Sequence, residues 1–161
     1  MPEISPLGWF HTAMGIIALV SGGFALFIYK EITPQTRPSQ IYLLATLITA
    51  GTALAIFQQG AFGPGHILAV ATLAALAVGT VAATTNLFGD WSRYVRAIGY
   101  SATLLFHCIP AVTDGLMRLP VDDPVVTAID DQLLMNCYAA MLIAFLVGLR
   151  LQLRWMHRQH N

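Results

Sequence analysis

Four side chains in this sequence bring ionisable or metal-binding chemistry into a setting that resists it: His11, His66, His107 and Asp114. His107 and Asp114 lie in "FHCIPAVTDGLMRLP" (106–120), a run otherwise apolar enough for a lipid bilayer. Ionisable groups at membrane depth are costly, and they usually face a bundle interior or a water-filled cavity. Three imidazoles and a carboxylate suit zinc or non-haem iron, with ligand bonds near ~2.0–2.2 Å. Two histidines from different helices suit the iron of haem b. Without any metal, His107 and Asp114 can exchange hydrogen bonds with a quinone or a lipid headgroup, while Tyr100 and Phe106 pack its ring or tail.

Any of these sites needs helices to carry it. The chain has 161 residues, of which 57% are hydrophobic and only 10% charged. Soluble domains carry about 25% charged residues, so this composition indicates an integral membrane protein. Net charge is zero, which gives no global field favouring nucleic acid. Cys108 and Cys137 both lie in apolar segments and form no Cys-x-x-Cys motif, so a secreted disulfide framework is not expected.

A membrane-crossing helix needs about 20 mostly apolar residues. Five segments qualify, at roughly 8–29, 41–60, 66–88, 94–117 and 133–154, and together they make 1–161 one transmembrane domain. The first is too long and too weakly basic at its start for a signal peptide and is read as a retained helix. The expected fold is an all-α bundle of five transmembrane helices. Lys30, Arg37, Arg93, Arg96, Arg150, Arg154 and Arg158 fall on one side of it, with only Arg118 opposite. The other side holds Glu3, Asp122, Asp123, Asp130 and Asp131. Basic loops stay in the cytoplasm, so the N-terminus is expected in the periplasm and the C-terminus in the cytoplasm of a bacterial inner membrane.

This arrangement brings the four side chains together. His11 near the start of the first helix, His66 opening the third and Asp114 near the end of the fourth occupy similar outer depths. His107 is seven residues before Asp114, on nearly the same face and about 10 Å deeper. Asn136, opening the fifth helix, falls at a comparable level. Pro110 cannot donate to the carbonyl of Phe106 and so is expected to kink the fourth helix. Each residue also has a plainer reading. Asp114 can pair with Arg118 at i+4, and His11 and His66 can sit at the interface with neighbouring aromatics. His157 and His160 read as headgroup-level residues of a basic tail.

Two stretches, "FGPGHILAVATLAALAVG" (62–79) and "YSATLLFHCIPAVTDGLMRLP" (100–120), resemble the bacterial membrane-protein family known as domain of unknown function 2306. The matching features are His11 with Gly15, and the turn Phe62, Gly63, Pro64, Gly65, His66. Ser39, Gln40, Ile41 and Tyr42 depart from the basic-Gly-x-Tyr turn that relatives often carry, and Asp114 stands where many have glutamate. The resemblance implies a small multi-span inner-membrane protein with His11, His66, His107 and Asp114 as recurrent polar positions. It implies no reaction.

Three functions follow as expectations. The first is a metal or redox-cofactor protein, with zinc or iron at His11, His66 and Asp114 and with His107 as a fourth ligand or supporting partner. It would serve electron transfer or metal-assisted chemistry on a lipid or quinone. The second is a metal-free quinone or lipid pocket. The third is an accessory subunit of a larger membrane complex or a homo-oligomer, with polar residues as interhelical glue worth about 0.6–2 kcal/mol each.

Overall fold

The computed structural model describes residues 4–57 and 61–159. Glu3, His160 and the 58–60 end of the expected second helix lie outside that range. The described residues form five α-helices and no strand: α1 (Pro6–Tyr29), α2 (Arg37–Ala53), α3 (Pro64–Thr84), α4 (Ser92–Arg118) and α5 (Gln132–Arg158). A 3-10 turn at Gly89–Trp91 leads into α4.

Local chemistry sets the helix ends. Ser5 accepts a hydrogen bond from Gly8 N–H at 3.1 Å, and Pro6 occupies the first turn of α1, where its missing N–H costs nothing. α1 stops where Lys30 turns left-handed (φ 62°) and donates its N–H to Leu26. Pro38 falls in the first turn of α2, so it permits the helix to begin at Arg37, four residues before the expected start. Asp131 caps α5 through Leu133 N–H at 2.8 Å. Pro110 lies inside α4, which remains one helical element from Ser92 to Arg118.

Contacts between helices give their directions. Gly22 lies against Tyr42 while His11 meets Thr49 and Thr52, so α1 and α2 are antiparallel. Gly79 meets Tyr100 and Ala75 meets Gly99, so α3 and α4 are antiparallel. Arg93 with Met156, Ser101 with Gln152 and Thr113 with Tyr138 set α5 against α4 in the same way. The bundle therefore runs up and down through all five helices. One end gathers Lys30, Glu31, Arg93, Arg96 and the last turns of α5, tied by Arg96–Glu31 (2.9 Å), Arg93 to Met156 O (2.9 Å) and Gln152 to Lys30 O (3.0 Å).

Among the described residues four helices are long and apolar enough to cross a membrane: α1, α3, α4 with its leading turn, and α5. α2 is the exception. Its 17 residues rise about 26 Å, short of a ~30 Å hydrocarbon core. Its polarity is also inverted, with Ile41, Leu44 and Leu47 exposed while Ser39, Thr46 and Thr49 are buried. Its apolar face points outward and its hydroxyls point into protein. By length and composition of its helices, the chain is a multi-pass helical membrane protein.

Candidate functional site

A cavity of about 550 Å³ opens at the end of the bundle opposite Arg93 and Arg96. Its walls come from α1 (Gly8, His11, Thr12), α2 (Thr49, Ala50, Ala53), α3 (Pro64 to Thr72) and α4 (Phe106, His107, Pro110, Asp114, Arg118). All three expected histidines and Asp114 line it, as does Phe106. Asp114 is 65% exposed at its side chain and stands at the mouth, 3.5 Å from Arg118 Nε. His107 lies one heptad deeper and is only 6% exposed. The volume falls in the range of small-molecule pockets, and the lining is mostly apolar with a few polar groups.

Each imidazole has one nitrogen committed to the protein, and the partner decides what the other nitrogen can do. His11 Nδ1 lies 3.0 Å from the carbonyl of Thr49, which can only accept, so Nδ1 carries the proton and Nε2 the lone pair. The same N–H reaches Thr52 Oγ1 at 3.2 Å, whose own proton goes to Ile48 O or Thr49 O. His66 is the reverse. Its Nδ1 accepts from Gly63 N–H at 3.1 Å, closing the N-terminus of α3 and leaving the proton on Nε2. The His66 ring sits between Phe57 (centroids 4.6 Å) and Phe62 (5.1 Å). His107 Nε2 meets Thr46 Oγ1 of α2 at 3.0 Å, leaving Nδ1 without a protein partner.

Two buried polar atoms in the cavity wall have no protein partner at all: Thr49 Oγ1 and His66 Nε2. Both atoms are out of solvent contact, although their residues line the cavity.

The sequence expectations meet this geometry unevenly. A metal set of His11, His66, His107 and Asp114 requires four converging lone pairs. Among the described residues no three His, Cys, Asp or Glu side chains are arranged to hold a metal ion. His66 has no lone pair to offer, because Gly63 N–H occupies Nδ1 and a proton occupies Nε2. Tyr100 does not reach the cavity. It is fully buried between α3 and α4, its ring against Gly79 and its hydroxyl 3.2 Å from Thr80 Oγ1. Asn136 is also absent from the wall, being exposed on α5 and bonded to Gln132 at 2.9 Å. The i+4 pairing of Asp114 with Arg118 is present.

Threonines 46, 49 and 52 were not expected as site residues, nor were Phe57 and Phe62. The only sequence signal for the threonines is their recurrence at positions 46, 49 and 52 on one face of an otherwise apolar helix.

Comparison with protein-family models, with curated proteins and with solved structures finds no match to this chain.

Proposed function

We propose that this is a bacterial inner-membrane protein, N-terminus periplasmic and C-terminus cytoplasmic, that holds the polar head of an amphipathic, lipid-phase molecule in a periplasm-facing pocket. A quinone-type ring is the chemistry that fits best. α2 crosses with the others, its short length offset by the neighbours that cover its hydroxyl face. The observation carrying this reading is that His11 and His107, from two different helices, each keep one ring nitrogen without a protein partner while lining one largely apolar cavity.

Several features support it. The cavity suits a single ring and the beginning of its tail. Phe106 and Pro110 offer flat apolar contact, while His11 and His107 each retain one unpartnered nitrogen. In this reading the protein positions the ring, keeps water from its inner edge and exchanges protons at the mouth beside Asp114. The metal reading draws less support, because the lone pairs that remain do not converge.

The test is extraction of lipid-phase molecules from protein purified out of native membranes in mild detergent, with mass spectrometry of the extract. A quinone or lipid near one per chain, lost in His107→Ala, is expected. An extract equal to that of an unrelated membrane protein refutes the pocket.

A further inference from the structure

We propose that the C-terminal end of α5 is a binding site for a phosphate-bearing anionic phospholipid, held by Arg150, Arg154 and Arg158. The site lies at the other end of the bundle from the cavity and does not depend on what the cavity holds.

The length of α5 carries its charges out of the hydrocarbon. Its 27 residues rise about 40 Å, against a ~30 Å core, so its last turns stand in a headgroup layer. Arg150, Arg154 and Arg158 recur every four residues there, about 6 Å apart along the axis. All three are exposed, and with His157 beside them they line one open groove on the surface of α5. The apolar lining of that groove, Leu146, Leu149 and Leu153, begins one turn deeper than Arg150 and ends before Arg154. The groove thus runs from leucine to guanidinium as a phospholipid runs from acyl chain to phosphate. Arginine stems lie along apolar surface while their heads extend outward, so forks from successive turns can reach one headgroup depth.

The protein leaves these charges uncompensated. Among the described residues, the guanidiniums of Arg150, Arg154 and Arg158 make no hydrogen bond or ion pair. Their neighbours at this end of the bundle are committed differently: Arg93 donates to Met156 O, and Arg96 pairs with Glu31. α5 contains no Asp or Glu, and Asp90, the other acid at this end, forms no ion pair. The opposite charge therefore comes from outside the chain. α5 is also the least buried of the four spanning-length helices and packs chiefly on α4, which leaves this face open to lipid. A planar guanidinium sets two N–H donors against two phosphate oxygens, a match that lysine lacks. Orientation by basic residues needs the charges, but neither their alignment on one face nor the leucines leading to them.

The experiment is native mass spectrometry of the detergent-purified full chain, titrated with dioleoyl phosphatidylglycerol or dioleoyl phosphatidylcholine, and with inorganic phosphate as competitor. One phosphatidylglycerol per chain is expected to bind about tenfold more tightly than phosphatidylcholine, as the attraction of a few arginines for an anionic headgroup requires. Arg150→Gln with Arg154→Gln should erase that preference. Lys30→Gln with Arg37→Gln, which removes equal charge at the same end but outside the groove, should leave it nearly intact. Detergent-solubilised chains have no inside or outside, so the readout is independent of membrane orientation. Equal binding of the two lipids overturns the proposal, and that comparison stands even if a variant fails to fold. Equal loss in both double variants also overturns it, as diffuse attraction to a basic surface. Inorganic phosphate displacing the lipid at matching concentration would overturn it too, because the leucines would then contribute nothing.

Discussion

Gly99 of α4 lies directly against Gly79 of α3: a Cβ on Gly99 would stand 3.2 Å from the Gly79 Cα and 2.9 Å from the carbonyl oxygen of Ala75. Both obstacles are backbone, which cannot swing aside as a side chain can. In lipid, such small-residue contacts let helices approach closely enough for dispersion to hold them.

Gly99→Ala should therefore destabilise the bundle by about 1–3 kcal/mol, the usual range for overpacking. Gly51→Ala and Gly148→Ala, where an added methyl meets nothing within 4 Å, serve as controls. Each should be neutral or stabilising by up to about 1 kcal/mol through helix propensity. Unfolding in mixed detergent micelles measures all three, and equal stability of the Gly99 and Gly51 variants would contradict the packing.

At the end of the bundle away from the cavity, Arg96 and Glu31 pair at 2.9 Å with both side chains largely covered. Arg96 Nε is buried with no hydrogen-bond partner, so Glu31, held by a terminal guanidinium nitrogen, is the counter-charge that matters. Glu31→Gln should cost about 1–3 kcal/mol by stranding that guanidinium. Adding Arg96→Met to it should recover part of the loss, since a buried charge without its partner is worse than no charge. A double-mutant cycle with no coupling between the two sites would contradict this.

Metal content separates the two ligand chemistries. Protein purified without chelator should carry far less than one zinc or iron per chain, and His66→Phe should leave that content unchanged. Elemental analysis checks both. Stoichiometric metal or a haem spectrum, lost in a His11→Ala, His107→Ala double variant, would return the site to metal or haem ligation.

Orientation has its own test. A fluorescent protein fused after Asn161 should fold and fluoresce in the cytoplasm, and a periplasmic phosphatase inserted in the loop at Asp122–Asp123 should be active. The reverse pattern would place the cavity on the cytoplasmic side, and proton exchange would then be with the cytoplasm.

Much of the architecture was legible because it depends on properties read along the chain. Apolar runs of about 20 residues specify helices wherever they occur, and the segments expected at 8–29, 66–88, 94–117 and 133–154 each contain or overlap an observed helix. α2 was the least accurately placed. Its end at Ala53 rather than Gly60 has no proline to announce it, and its start hinges on Pro38 being tolerated within the first turn. The grouping of His11, His66, His107 and Asp114 around one space was also legible, since up-and-down connectivity and a fixed rise per residue set their depths. Tyr100 was not, because depth says nothing about which neighbour a face meets, and Gly79 offers that ring a closer fit than the cavity.

The sequence by itself determined the apolar helices, the segregation of charge and the shared level of the polar residues. These follow from composition and spacing, whatever the partners. Only the tertiary structure decided which histidine nitrogens are held by the protein and which are left open. That depends on Thr49 and Thr46 of α2 facing α1 and α4, and on the Gly63 turn facing His66, contacts set by helix rotation and register. A ring nitrogen is held by whichever fixed group lies within reach, and the identity of that group is a fact of packing.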